Sequence, residues 1–563
     1  MRALPVGRHA LLLELDEPGE TLAVYERLER LRRAGGVVLA EVVPAARTVL
    51  VVGQDATGTP SALLRALEGG PEAPGEPAAS AEGAEGGAAS RRGASAPPVV
   101  EVPTSYDGED LDAVARAWGM TRAEVSTTHA GLEHVAAFCG FLPGFAYLRG
   151  LPAALSVRRR ATPRPRVRAG SVAVAGTFSC VYPQASPGGW QVLGHTDLVL
   201  FDPARDRPAL IVPGTTVRFV DLGSAHRRDA RHADKGCDAH GYPAPPATRE
   251  GLRGGTGEPG GTRKAGTRPV LRVVRSGWLT TVQDGGRPGV AHLGVPTSGA
   301  LDRPAFRLAN RLVGNDAAGS DEAHAVLETT MTGVGLEATA RCVVAVTGAF
   351  APVSVDGRPA ALGEAIELGP GSHLEVGTAR EGLRSYVAVR GGIDVEPVLG
   401  SRSSDVLSGL GPRPVVDGDE LPIGPGPPGR PVPGAVPVPT PPPFAELRLD
   451  LGPRDDWLTE VGKSTLAGGR WRVGAASNRT ALRLEGPAVG RRAGEIETEG
   501  LVAGAVQIPP DGQPIVFLAD RPTTGGYPVV GVVDDAGLAL AAQVKPGSEV
   551  RFRVVGRAAA RLC

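Results

Sequence analysis

Two distant stretches of this chain carry one pattern, and any fold for the whole must accommodate both. SPGGWQVLG (186–194) resembles TTGGYPVVG (523–531). Each follows an apolar run that opens on a small residue after glycine, GSVAVAG (170–176) and GAVQIPP (504–510). Each precedes a Pro-Gly turn and a strand-like run, VPGTTVRFV (212–220) and KPGSEVRFRV (545–554). Three elements in one order point to a duplicated module. Reuse of Pro-Gly turns, common in all-β proteins, accounts for the third element but not for the paired Gly-Gly-aromatic loops.

The rest of the sequence has the same texture. From about residue 135, short apolar runs alternate with Gly and Pro, and aromatic residues are only 4% against 79 glycines and 52 prolines. Turns need residues that tolerate positive φ or fix it, so the expectation is a mainly β chain. At 563 residues, several cores are required. Low-complexity stretches at 69–98, 223–268 and 422–443 divide the sequence; the last, ending PVPTPPP, reads as a stiff connector. The expected units are an N-terminal α+β domain (1–68), a first β-barrel (99–221), a linker (222–268), a β subdomain (269–421) and a second barrel (444–563). Within the first unit, HALLLEL (9–15), VVLAEVVP and TVLVVG read as strands, and residues 20–33 and SALLRALE as helices. Thr121 with Glu124 has capping-box spacing at the head of a further helix.

A net charge of −1 argues against nucleic acid or an anionic membrane as the main partner. The five cysteines are scattered and form no CxxC pair, which supports neither a disulfide framework nor a zinc ribbon. No HExxH, no spaced His/Asp cluster and no GxSxG elbow appears, so no metal site is expected. EVGKST (460–465) echoes the end of a P-loop, but Trp457 occupies the position of its first glycine. No apolar run reaches the ~18 residues of a membrane span, and the N-terminal apolar stretch is short for a signal peptide. A cytoplasmic protein is expected.

The Gly-Gly loops are the first site candidates, because paired glycines let backbone N–H groups approach a ligand closely. Gly188, Gly189 and Trp190 form one, and Thr523, Thr524, Gly525, Gly526 and Tyr527 the other. A tight hairpin capped by a packed aromatic is the competing reading of each. GFLPGFAYL (140–148) concentrates aromatics as either a pocket wall or a core-lining turn. Arg164, Arg166 and Arg168 alternate before a strand, as anion ligands or as a solvated face. In TVQDGGRPGVAHLGVPTSGALD (281–302), Gln283, Asp284, Arg287, Ser298 and Asp302 are positioned for a buried network around a substrate. Asp302 equally suits an N-cap for the helix that follows.

Together these motifs resemble a known pair of proteins. GFLPGFAYL, ATPRPRVRAGSVAVAG and SPGGWQVLG with LFDP look like the small (B) subunit of bacterial ATP-dependent 5-oxoprolinase, a sporulation-kinase-inhibitor family. TTVQDGGRPG, GVPTSGALD, VAVRGGID with GSRS, GAVQIPPDGQP, TTGGYPVVG and QVKPG look like its C-type partner, related to the carboxyltransferase part of urea amidolyase. The resemblance implies cyclophilin-like β-barrels and an amide-directed enzyme. ATP, with Mg, would activate the lactam of 5-oxoproline, and a separate A-type subunit would complete ring opening to glutamate. It also implies a small amide substrate and no covalently attached biotin, with a homo-oligomer compatible. Carried over residue by residue, Gln283, Asp284, Arg287, Asp302, Arg479 and Lys545 would be catalytic. Ser298, Gln507, the two Gly-Gly loops and Arg164 would bind substrate. Asn478 stands where the family usually has Asp, and His195 where it often has Arg. Two alternatives stay open: a urea carboxylase-type carboxyltransferase, and a binding protein that inhibits a sensor histidine kinase.

Overall fold

Short apolar runs separated by turn residues pair into β-sheets throughout the computed structural model, which describes residues 1–35, 38–53, 99–223, 269–315, 324–427, 429–439 and 444–557. SALLRALE and the stretches 69–98 and 224–268 lie outside the described residues. No helix among the described residues is long and apolar enough to cross a membrane.

The repeat read from the sequence is a repeat of strand order. In the second lobe a closed barrel runs Ala445–Leu451, Val529–Val533, Ala505–Gln507, Ile515–Phe517, Ala481–Glu485, Trp471–Val473 and Glu549–Arg557, which returns parallel to the first strand. In the first lobe, Val99–Thr104 lies parallel to Thr216–Asp221. The same sheet continues through Glu133–Cys139, Ala146–Arg149, Phe178–Val181, Ser171–Ala175 and Gln191–His195. Its open edge is bridged by Ser105 and His195, whose amides exchange two 2.9 Å hydrogen bonds. His195 thus helps close the first barrel, with Asp107 Oδ1 2.8 Å from its Nδ1. Each Gly-Gly turn forms half of a two-stranded ribbon, Ser186–Gly188 against Arg164–Val167 and Thr524–Gly525 against Glu499–Gly500.

The N-terminal unit is less independent than its sequence implies. Its antiparallel sheet runs Arg2–Val6, Ala10–Glu14, Thr48–Gly53, Leu39–Pro44. Successive residues of a strand face opposite sides, and in ALLLEL both sides are buried. Leu11, Leu13 and Leu15 meet Tyr25 and Leu28 of the helix Glu20–Arg33. Leu12, with Val43 and Leu50, instead shares a core with Ala505, Phe517 and Val532 of the second-lobe barrel. The lobes are therefore joined by a hydrophobic core as well as by chain. The capping box forms as read: Glu124 N donates to Thr121 Oγ1 and Thr121 N to Glu124 Oε2.

Residues 270–422 form two packed sheets whose facing residues, among them Leu271, Val282, Leu327, Leu336, Val344 and Leu374, make one core. The helix Arg303–Leu312 covers the outer face of the second sheet, its N-terminus capped by Asp302 Oδ1, which accepts from Ala305 N. The Pro-rich connector is held along this unit: Val432 N donates to Leu312 O and Val436 N to Gly363 O.

Candidate functional site between the lobes

Four turns meet where the first lobe, the two-sheet unit and the second barrel touch. The first-lobe turn 140–144 packs on 293–299, with Gly144 N donating to Leu293 O at 2.8 Å. A Cβ on Gly140 would run into Thr524 Oγ1, so the first-lobe turn and the second Gly-Gly turn lie in direct contact. From the N-terminal sheet, Glu41 accepts from Gly289 N (2.6 Å) and Ala291 N (3.2 Å), directly after the Gln-Asp-Gly-Gly-Arg turn. Phe141 and Ser298, both non-glycine, hold positive φ in this seam (66° and 54°). Such backbone persists only where its surroundings over-determine it, and it gathers at functional sites.

A buried ionic network crosses beneath the seam. Arg479, 1% exposed, donates to both oxygens of Asp520 (2.9 and 3.0 Å), to Glu328, and to Gly299 O. Glu328 also accepts from Leu301 N and the Tyr386 hydroxyl; that hydroxyl in turn accepts from Asp302 N. Gln543 Nε2 donates to Asp302 Oδ2 at 2.7 Å. Burial pushes the Glu328 carboxyl upward, but the guanidiniums of Arg479 and Arg384 outweigh it and hold the group below the usual carboxylate range. Asn478 Oδ1 accepts from Thr480 N, the turn-forming role a carboxylate would play there, so the departure at 478 leaves the Arg479 turn intact.

Above this network, several buried polar atoms lack hydrogen-bond partners among the described residues: Gln283 Oε1, Arg287 Nη1, Ser298 Oγ, Ser404 Oγ and Thr523 Oγ1. Their neighbours relate the first four to one another. Gln283 Nε2 donates to Ser404 O (3.1 Å), and Arg287 Nη2 to Ser403 O, so consecutive carbonyls anchor the two side chains. The backbone N–H of Arg287 donates to Thr297 O (2.7 Å), beside Ser298. Burial lowers the Arg287 pKa from its ordinary value, opposed by Asp405, Asp284 and Asp520. A buried donor or acceptor left unmade costs roughly 1–3 kcal/mol, which makes these atoms the candidates for a polar partner in this seam.

Hydrogen bonds to Ser403, Ser404, Thr297 and Gly299 bring Gln283, Arg287, Ser298 and Arg479 to this seam, while other expected site residues have structural work. Asp284 accepts from Gly286 N, Ser401 Oγ, Ser403 Oγ and Arg402 N, which fixes the turn and occupies its oxygens. Both oxygens of Asp302 are taken by Ala305 N and Gln543. Lys545 clasps the carbonyls of Ala379 and Arg380 across the barrel edge. Gln507 Nε2 ties down Tyr527 O, and the Tyr527 side chain is exposed. Arg164 pairs with Asp110 and Glu109. Trp190 belongs to the first-lobe core, edge-on to Phe145 and Tyr147. There the packed-aromatic hairpin is the reading the geometry follows.

The two Gly-Gly turns consequently border different places. Gly189 O accepts from Arg160 N beside a cavity of ≈ 690 Å³ walled by Arg158, Arg159 and Arg160, whereas Gly525–Gly526 adjoin the seam through Thr523 and Thr524. In both turns the first glycine is the sterically required one. A Cβ on Gly188 would overlap the Tyr182 hydroxyl, and one on Gly525 would lie 2.8 Å from both Gln507 Nε2 and Leu501 Cδ1, while nothing lies within 4 Å at Gly526. Gly525→Ala is therefore expected to cost about 1–3 kcal/mol and Gly526→Ala under about 0.5 kcal/mol, as read from urea midpoints.

Sequence reasoning passed over Glu328, Asp405 and Asp520. The run Ser401-Arg-Ser-Ser-Asp405, polar inside an apolar neighbourhood, was the available signal for Asp405; Glu328 and Asp520 stand alone in apolar strands and turns. Asp405 is buried; its Oδ1 accepts from Leu407 N and Ser408 N, and its Oδ2 from the Ser408 hydroxyl. Burial first, and Asp520 second, push its pKa up to about 7. A carboxyl raised on folding stabilises the folded state fully below its unfolded value, and that contribution is lost as pH climbs from about 4 through about 7. Asp405→Asn should remove this dependence: the fall in urea midpoint between pH 5 and pH 8 should shrink by an amount worth at least about 1 kcal/mol.

Family comparisons agree with a pair of joined lobes. Models for the carboxyltransferase domain match twice, subdomain C and D over residues 1–211 and subdomain A and B over 293–554. The C-type 5-oxoprolinase subunit from Escherichia coli K12 is 37% identical over 287 residues, 50% of this chain and 90% of that protein. The B-type 5-oxoprolinase subunit from Escherichia coli O157:H7 is 39% identical over 224 residues, 39% of this chain and 95% of that protein. Urea amidolyase from Lachancea kluyveri is 31% identical over 52% of this chain but only 17% of its own length. The crystal structure of TTHA0988 superposes over 96% of this chain and 99% of its own, at 33% identity and a TM-score of 0.78. Fold and seam define a carboxyltransferase-domain protein in which both subdomain pairs share one polypeptide. The chain belongs to the family of 5-oxoprolinase B and C subunits, here fused.

Proposed function

We propose that this chain performs in one polypeptide the joint work of the B and C subunits of 5-oxoprolinase: it activates the lactam of 5-oxoproline, and a separate A-type subunit finishes ring opening to glutamate in the cytoplasm. The observation that carries this reading is the group of partnerless buried polar atoms on Gln283, Arg287, Ser298 and Ser404, in turns beside those on which the first-lobe turn 140–144 packs. A lactam is inert because nitrogen donates into its carbonyl. A buried, fixed cation and hydroxyls around its oxygen counter that by stabilising charge there. ATP, when bound, supplies the phosphoryl group that makes the amide oxygen a leaving group. Arg158, Arg159 and Arg160, with Ser156, Thr162 and Gln191, wall a cavity whose ≈ 690 Å³ and charge suit a nucleotide polyphosphate. Among the described residues no group of three or more His, Cys, Asp or Glu is placed to hold a metal ion.

The deciding assay measures ADP release by the full chain with its A-type subunit, with and without 5-oxoproline. Lactam-dependent release supports the reading; its absence overturns it. The carboxyltransferase match over residues 293–554 favours a second reading, carboxyl transfer to an amide nitrogen. Biotin-dependent carboxylation of urea without lactam-dependent ADP release would select that one.

A further inference from the structure

The walls of the cavity beside the first Gly-Gly turn differ in kind. One is the helix Leu111–Trp118, which contributes Ala113, Val114 and Ala117. Ala113 and Ala117 are four residues apart and share a helix face, so this wall is smooth, apolar and without side-chain hydrogen-bonding groups. A second wall is the loop 156–162, which carries Arg158, Arg159 and Arg160. The arginine run is held at both ends: Val157 and Gly176 exchange backbone hydrogen bonds, and Arg160 N donates to Gly189 O at 2.8 Å. Gln191 Nε2 pins the run again through Arg158 O at 3.1 Å.

The three arginines are not equivalent. Arg160 donates to Asp110, a carboxylate 4% exposed that also accepts from Val192 N, so its charge is balanced and it belongs to the frame. Arg158 and Arg159 have no carboxylate partner among the described residues, and no acidic side chain among those residues lines the cavity. Arg159 lies over the Trp190 ring, its guanidinium carbon 6.0 Å from the centroid, which limits where its charge can sit. Two unpaired cations on a pinned loop make the ≈ 690 Å³ space positive, and guanidinium forks match phosphate oxygens. We infer that the cavity takes a nucleoside triphosphate, phosphates against Arg158 and Arg159 and base on the alanine wall, and selects by phosphate number rather than by base. Reading a base edge needs donors and acceptors aimed at it. The helix wall has none, and an apolar wall by itself separates ligands of similar size only weakly. The inference rests on the reading of this cavity as the nucleotide site and adds what that site selects.

The test is calorimetric binding of ATP, GTP, CTP, AMP and inorganic tripolyphosphate to the full chain, with neither lactam nor A-type subunit present. ATP, GTP and CTP are expected to bind within about tenfold of one another, and AMP about 30-fold more weakly than ATP. Tripolyphosphate, which has nothing to cover the alanine wall, is expected to bind about tenfold more weakly than ATP. Arg158→Gln with Arg159→Gln, both at exposed positions, should weaken ATP about 30-fold. Arg168→Gln removes an exposed arginine outside the cavity and should change ATP affinity by less than about twofold. Ala117→Glu adds an acid to the wall from an exposed position and should weaken the three nucleotides alike. Should the double variant fail to fold, Ala117→Glu and the wild-type ligand series decide. A preference for one base beyond about tenfold, or tripolyphosphate as tight as ATP, overturns the inference. So does unchanged ATP affinity in the double variant, or the absence of saturable triphosphate binding. Triphosphate binding in the expected pattern without lactam-dependent ADP release upholds the cavity's role while the lactam reading falls; lactam-dependent release without that pattern does the reverse.

Discussion

Arg479→Met is expected to destabilise the protein by about 3–5 kcal/mol, because it leaves the buried carboxylates of Glu328 and Asp520 without their principal counter-charge. Arg479 is fully buried and reaches across the boundary between the barrel and the two-sheet unit, so no water is at hand to replace it. The remaining cation, Arg384, lies 3.5 Å from Glu328 and does not hydrogen-bond Asp520. The checking measurement is the urea midpoint. Neutralising both acids in the same background, as Glu328→Gln with Asp520→Asn, should restore more than half of the loss. A midpoint within about 1 kcal/mol of wild type for the single variant would show that the network is solvated. Replacing a whole buried ion network by apolar residues is often neutral. Its value here lies in geometry: Arg479 holds Gly299 O, one residue from Ser298, and Asp520 Oδ2 accepts from Val406 N, beside Asp405.

Much of this arrangement was legible in residues, and the limits of legibility have physical causes. Strand texture, the helix 20–33, the Thr121 capping box and the duplication follow from local rules, and the structure returns them within a residue or two. The repeat was visible because strand, double-glycine turn and Pro-Gly turn are each dictated by neighbours in sequence. What sequence could not supply was which faces meet. ALLLEL reads as a strand, but nothing in it says that Leu12 packs on Phe517. The same holds for the site. Gln283, Arg287 and Ser298 stood out because polar residues were dense in an apolar stretch. Glu328, by contrast, alternates unremarkably within Val326–Thr330, and its role depends on a partner about 150 residues away. Lys545 entered the candidate set through the family resemblance and Trp190 through its neighbouring glycines, and three-dimensional packing gives both other work. The two glycine turns border different places for a related reason. Duplicated modules preserve strand order, but their copies face different neighbours.

The seam itself offers the sharpest test of whether both lobes serve one reaction. Gly294 has φ +78°, and a Cβ there would overlap the carbonyl oxygen of Leu142 in the first lobe. That carbonyl cannot retreat cheaply, since Leu142 O accepts from Phe145 N (3.0 Å) and Leu142 N donates to Gly140 O (2.7 Å). Gly294→Ala must therefore push turn 140–144 away from 293–299, and with it the contact between Gly140 and Thr524. Positive φ alone costs an alanine about 1–2 kcal/mol, so a control is needed that carries the strain without the clash. Gly371 provides it, with φ +79° and nothing within 4 Å of an added Cβ. Both variants are expected to lose similar backbone stability, but only Gly294→Ala should cut lactam-dependent ADP release, by about 100-fold, as expected when reacting groups are misplaced by about 1 Å. It should also widen the separation between the unfolding of the two lobes, read by urea denaturation, as they uncouple. Equal activity in the two variants would mean that the first lobe only rests against the site and takes no part in shaping it.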